Sequence, residues 1–202
     1  MKLFLIRHGE SENNLNRHYS GQCNPELTPL GIEQAKAIRS VLEKIKFDAV
    51  YSSDLTRALD TCFTAMPNAK PIITPKLREI AIGDLENRPY YVPKGDNDEF
   101  AIELHKNRQS FDYSPYGGEN KKDVIKRFCE FLKELESKPV QNVAAFCHAG
   151  LITIVTGYIL SANLDRDAIH CPNCNIVVLE FDGNKWRLLV WNYGAEIGIG
   201  TE

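Results

Sequence analysis

Five side chains in this sequence could together handle a phosphate: Arg7, His8, Arg57, Glu79 and His148. Two arginines offer forked donors that match phosphate oxygens. A histidine can act as a nucleophile and carry a covalent group. A nearby carboxylate can serve as general acid and then as general base. Gly9, next to His8, would let backbone N–H groups come close to an anion. Together these residue types read as metal-free phosphoryl transfer through a phosphohistidine. Each alone is weak. His8 could be structural, and Arg57 could be a helix-surface charge paired with Asp54 or Asp60. Glu79 could be a solvated loop residue, and His148 a satisfied core histidine. Their shared placement after apolar segments is what joins them.

Those segments alternate between strand and helix patterns, which predicts an α/β fold with a mainly parallel sheet. The first strand spans about Lys2 to Ile6 and runs into Arg7 and His8. Thr28-Pro29, a capping residue followed by proline, starts a helix to about Ile45, with Ala35, Ile38 and Leu42 on one face. A second strand, about Asp48 to Tyr51, leads to Ser52-Ser53-Asp54. That stretch offers an N-cap for a helix bearing Arg57 in its first turn. A third strand near Ile72 to Thr74 precedes Glu79. A long amphipathic helix from about Glu119 to Glu136 follows, then a strand from Val143 to Cys147 that ends at His148, then another helix. Ile176 to Phe181 and Trp186 to Trp191 read as a hairpin around Asp182-Gly183-Asn184. In an open α/β sheet, ligands bind beyond the carboxyl ends of the strands. The five side chains should therefore meet at one edge.

The totals set limits. A chain of 202 residues suits one sizeable domain. A formal net charge of −3 supplies no general attraction to nucleic acid or anionic membranes. The longest apolar run, near Leu151 to Leu160, is too short to span a bilayer, and the N-terminus does not read as a signal peptide. A cytoplasmic protein is expected. Of six cysteines, Cys62, Cys129 and Cys147 fall on apolar faces, which suits buried reduced thiols. Only Cys171-Pro172-Asn173-Cys174 has ligand-like spacing. With no second pair of that kind, it reads as a loop rather than a metal site.

The chain resembles the histidine phosphatase superfamily, also called phosphoglycerate mutase-like. The residues that carry this are Leu5-Ile6-Arg7-His8-Gly9-Glu10-Ser11, Leu27-Thr28-Pro29-Leu30-Gly31 and Ser52-Ser53-Asp54-Leu55-Thr56-Arg57-Ala58. Leu77-Arg78-Glu79-Ile80, Gly83-Asp84-Leu85-Glu86, Gly117-Gly118-Glu119 and His148-Ala149-Gly150 complete an ordered series along essentially the whole chain. The resemblance implies a three-layer fold, with helices on both faces of a mainly parallel sheet. It implies that His8 attacks phosphorus, that Arg7, Arg57 and His148 hold the phosphate oxygens, and that Glu79 moves the proton. It also implies that Asn14, Ser20, Gly21 and Ala149 contact the substrate, with no metal and no cofactor. The family often has glycine where Ala149 stands and aspartate where Asn24 stands.

The interval from Glu79 to His148 is 69 residues. It lacks the longer insertion typical of mutases in this family, and it resembles the phosphatase branch, of which α-ribazole phosphatase-like and broad-specificity enzymes are the nearest types. The expectation is one histidine phosphatase domain over 1–202, with a small polar cap at about 86–116, acting on a small phosphorylated metabolite. No nucleic acid or membrane partner is expected, and a homodimer is allowed. Mutase-type transfer is the alternative, and a non-catalytic phospho-ligand module is a further one.

Overall fold

The computed structural model describes residues 1–91, 93–95, 97–164 and 169–193. Positions 92 and 96, inside the 86–116 stretch, lie outside the described residues. The strands are β1 (Lys2–Arg7), β2 (Ala49–Ser52), β3 (Ile72–Ile73), β4 (Asn142–Cys147), β5 (Ile176–Phe181) and β6 (Trp186–Val190). They form one sheet in the order β3-β2-β4-β1-β5-β6. The first four run parallel, while β5 is antiparallel to both β1 and β6. The helices are α1 (Glu12–Leu15), α2 (Pro29–Leu42), α3 (Thr56–Ala65), α4 (Glu99–Ser110), α5 (Lys121–Glu136) and α6 (Ala149–Ile159).

The apolar runs of β1 and β4 are continuous because both faces of the sheet are covered. Successive side chains point to opposite faces. Leu3, Leu5, Val143 and Ala145 pack with Phe128 and Leu151 of α5 and α6. Phe4, Ile6, Ala144 and Phe146 pack with Ile38 and Cys62 of α2 and α3. This gives the three layers. Burying each large side chain is worth about 1.5–3 kcal/mol, so β1 and β4 make a rigid centre. Among the described residues no helix is long and apolar enough to cross a membrane.

Of three helix starts, two differ from the sequence expectation. The α2 cap is as read: Thr28 accepts the Gly31 N–H at 3.0 Å and Pro29 opens the helix. By contrast, Ser52-Ser53-Asp54 does not cap α3. The N-cap is Leu55, with no side-chain bond, because Asp54 pairs with Arg78 and Ser53 sits 3.0 Å from His148. The helix read from Glu119 begins at Lys121, with Asn120 and Asp123 forming a capping box. Glu119 is held instead by Arg127 and by the Ala81 N–H.

The polar 86–116 stretch contains α4, a helix the sequence pattern does not announce. Only Leu104 and Asn107 are buried along it, too few for a clear period. Its start is marked by Asp98, which accepts the Ala101 N–H at 3.1 Å. Its end is Phe111, buried, with φ of 52° in the left-handed region. A non-glycine residue there is uncommon and must be held by its surroundings.

Candidate active site

β1 and β4 are neighbours, with Arg7 opposite Cys147. The next residue of each strand is therefore a histidine, and the rings of His8 and His148 lie 5.2 Å apart. The order of the sheet reverses here, since β2 and β5 lie on opposite sides of this pair. Such a switch point leaves a crevice beyond the strand ends. Arg7, His8, Asn14, Arg57 and Glu79 line the cleft found there. Ser20, Gly21 and Ala149 line it too.

His8 has a defined tautomer. Its Nδ1 lies 2.6 Å from the Gly9 carbonyl oxygen, so Nδ1 carries the proton and donates. Its Nε2 receives the Arg57 Nε–H at 3.2 Å. An arginine can only donate, so Nε2 presents a lone pair. Gly9 does not serve the cleft as its type suggested. Its N–H donates to Thr61 Oγ1 at 3.0 Å, and a Cβ at this position would strike the backbone of Gly31. Glycine is required at position 9 for close packing of β1's extension against α2.

Arg57 is fully buried, which rules out a surface pairing with Asp54 or Asp60. Its fork is partly engaged by the protein itself. One terminal nitrogen donates to the Cys23 carbonyl at 2.7 Å, the other to the Gly21 carbonyl at 2.8 Å. The guanidinium thus ties the 20–23 loop to His8. Arg7 is anchored by the Cys171 carbonyl, which gives the Cys171–Cys174 loop a positioning task. Asn14, which lines the cleft, accepts at Oδ1 from Ser11 and Asn173.

His148 is buried, with Nε2 3.0 Å from Ser53 Oγ. Ser53 Oγ also accepts the Leu55 N–H. The other ring nitrogen of His148, Nδ1, is buried and without a partner among the described residues. Ser53 was read as a helix cap, and its contact with His148 needs the β2–β4 pairing to become visible.

Glu79 sits at the amino end of α6. Its carboxylate accepts the N–H of Gly150 at 3.0 Å, of Leu151 at 3.0 Å and of Ile80 at 2.9 Å. A helix N-terminus favours negative charge. The Ala149 N–H, at the first position of α6, has no protein partner among the described residues. The Glu79 carbonyl is held by Gln22 and Arg127.

Burial holds both histidines well below the ordinary value of 6.5. The Arg57 charge lowers both further, and Arg7 acts in the same sense. The fold therefore keeps both neutral, while the unfolded chain protonates them below about 6.5. The unfolded state then binds more protons, so stability falls as pH drops below that value. The slope is up to ~1.4 kcal/mol per pH unit for each histidine. Urea unfolding at pH 7.5 and 5.5 measures this, with His8→Ala as the comparison. A profile equally steep in the variant would contradict a share from His8.

The family model described as histidine phosphatase superfamily (branch 1) matches residues 3–194. An adenosylcobalamin/alpha-ribazole phosphatase of Escherichia coli (strain K12) is 30% identical over 158 residues, 77% of each chain. A 2,3-bisphosphoglycerate-dependent phosphoglycerate mutase of Azorhizobium caulinodans is 36% identical over 133 residues, 62% of this chain and 63% of its own. The structure of a mycobacterial glucosyl-3-phosphoglycerate phosphatase with VO3 superposes with a TM-score of 0.82 at 29% identity, covering 95% of this chain and 98% of that one.

Proposed function

Because this chain belongs to the histidine phosphatase superfamily (branch 1), we propose that it hydrolyses phosphomonoesters of small metabolites through a phosphohistidine at His8. The observation that carries this is the His8 tautomer: Nδ1 is tied to Gly9, so Nε2, which accepts the Arg57 Nε–H, is the unprotonated nitrogen of a ring that lines the cleft. In this reading Nε2 attacks phosphorus, an N–P bond forms, and the ester P–O bond breaks. Glu79, in its carboxylic acid form, gives its proton to the departing alkoxide. Water then attacks the phosphorus of the phosphohistidine, a P–O bond forms as the N–P bond breaks, Glu79 takes a proton from the water, and inorganic phosphate leaves.

Arg7, Arg57, His148 and the Ala149 N–H stabilise the phosphoryl oxygens, where charge spreads in the transition state. Asn14, Ser20 and Gly21 shape the phosphate end of the cleft, and the 86–116 stretch caps it through Tyr90 and Phe111. Hydrolysis is favoured over mutase transfer because the interval from Glu79 to His148 is 69 residues and lacks the longer insertion typical of mutases in the family. All six cysteines are unpaired, which supports a reducing, cytoplasmic setting.

Rapid quench with a 32P-labelled phosphoester is expected to trap an acid-labile adduct in the native enzyme and none in His8→Ala. Equal labelling of both would sink the assignment. Isomerisation of 3-phosphoglycerate without phosphate release would turn the reading to a mutase.

Gly150 offers a second check. A Cβ there would lie 2.5 Å from Glu79 Oε1. The neighbour is the far end of a flexible side chain, so Gly150→Ala should fold and push the carboxylate aside. A fall in kcat of about 10–100-fold is expected, since misplacement by 1 Å can cost 10²-fold. Thermal unfolding should shift little. Unchanged kcat would show that Glu79 does not act from this position.

A further inference from the structure

The stretch that carries Glu79, residues 78–82, is irregular chain. Backbone polar groups in such a stretch must find partners elsewhere, and here side chains supply them. The Glu79 carbonyl accepts from Gln22 Nε2 and from Arg127 Nη2, each at 3.1 Å. The Ala81 N–H donates to the Glu119 carboxylate at 2.8 Å, and the Ala81 carbonyl accepts the Glu119 N–H at 2.9 Å. Gln22 stands apart from Arg127 and Glu119, because it belongs to the loop that Arg57 holds. The residues on either side of it, Gly21 and Cys23, are the two whose carbonyls accept from Arg57, and the Arg57 Nε–H meets His8. The Gln22 N–H donates to Glu86 at 2.8 Å. Its side-chain oxygen accepts from Arg78 at 3.1 Å. Arginine can only donate, so that bond turns the amide nitrogen of Gln22 toward Glu79. Arg78 is itself pinned by Asp54, just before α3. Both ends of the Gln22 amide are thus engaged by residues 78 and 79.

We propose that Gln22 is a positioning residue that sets the spacing between the nucleophile His8 and the proton donor Glu79. This deepens the phosphatase reading and rests on it. The attacking and leaving atoms lie roughly in line across phosphorus, so nucleophile and proton donor must keep a fixed separation. His8 follows β1 directly and is held by Gly9 and Arg57. The Glu79 carboxylate is held by the first turn of α6. Where its main chain stands depends on the carbonyl of the same residue. A carbonyl oxygen has two lone pairs, and both are used. Arg127 takes one from α5, and Gln22 takes the other from the loop tied to His8. Without Gln22, Arg127 and α6 still hold Glu79, but the 20–23 loop and the 78–82 stretch are free to shift against each other.

A double-mutant cycle with two esters tests this. Gln22→Met keeps the length of the side chain and removes both of its hydrogen bonds. Gln22 is half-buried, so the variant should fold. Its kcat on glycerol 3-phosphate, whose alkoxide needs a proton, should fall about tenfold, since small misplacements of a reacting group are costly. On p-nitrophenyl phosphate, whose leaving group needs little protonation, the fall should stay below about threefold. In a Glu79→Gln background the same substitution should cost both esters the same small factor, because no proton donor is left to misplace. Should Gln22→Met fail to fold, Gln22→Asn, one methylene shorter, runs the same cycle. The proposal is overturned if the Gln22 variant slows both esters equally. It is also overturned if the variant costs glycerol 3-phosphate as much in the Glu79→Gln background as in the native protein. These failures differ from failure of the reading beneath. A native phosphoenzyme formed from p-nitrophenyl phosphate, with no leaving-group dependence in the Gln22 variant, defeats the positioning role alone. Absence of any phosphoenzyme defeats the phosphatase reading.

Discussion

Arg57→Lys is expected to lose both activity and stability, on the order of 10²–10³ in kcat/KM and about 2–4 kcal/mol in unfolding free energy. The reason lies in what one guanidinium does at once. Its Nε–H meets His8 Nε2, while its two terminal nitrogens hold the carbonyls of Gly21 and Cys23. A lysine ammonium is a single point of charge on a flexible stem and cannot span three directions. At least one buried carbonyl loses its donor, at about 1–3 kcal/mol each. The 20–23 loop should loosen, and with it Ser20 and Gly21 at the cleft. Urea unfolding alongside p-nitrophenyl phosphate kinetics tests the pair of effects. Activity within tenfold of the native enzyme would show that the fork serves the loop and not the reaction.

Glu79→Gln should act selectively, according to the leaving group. Alkyl phosphates such as glycerol 3-phosphate need their alkoxide protonated, and their turnover should fall by about 10²–10⁴. The nitrophenolate of p-nitrophenyl phosphate needs little protonation and should lose far less. The comparison between substrates is needed because the substitution also disturbs structure. The Glu79 carboxylate accepts three backbone N–H groups. A glutamine would turn its own donors toward at least one of them, so some loss should be common to both esters. Only the difference between esters reports proton transfer. Equal losses would assign Glu79 to holding α6 rather than to moving a proton.

Which residues stand at strand ends is legible in the chain alone. Apolar runs at Lys2–Ile6 and Val143–Cys147 are local signals, with Arg7-His8 following the first and His148 the second. Thr28-Pro29 likewise marked a helix start that the structure keeps. These features depend on near neighbours in the chain, so they are legible in one dimension. The chemistry of the cleft depends on partners far away. That β4 inserts between β1 and β2, which sets the two histidine rings side by side, is a matter of strand order that no local pattern encodes. The roles of Gly9, Ser53 and Asp54 turned on contacts with Gly31, His148 and Arg78, each more than twenty residues distant. The fork of Arg57 read as a phosphate clamp by type, and the fold also has each of its terminal nitrogens hold a backbone carbonyl of the 20–23 loop. Helix α4 left almost no period, because only two of its residues are buried. Yet it brings Arg108 to rest on Tyr19 and Tyr90, which line the cleft. Residue type fixes what a group can donate or accept. Only the packed structure decides which of those capacities are already used.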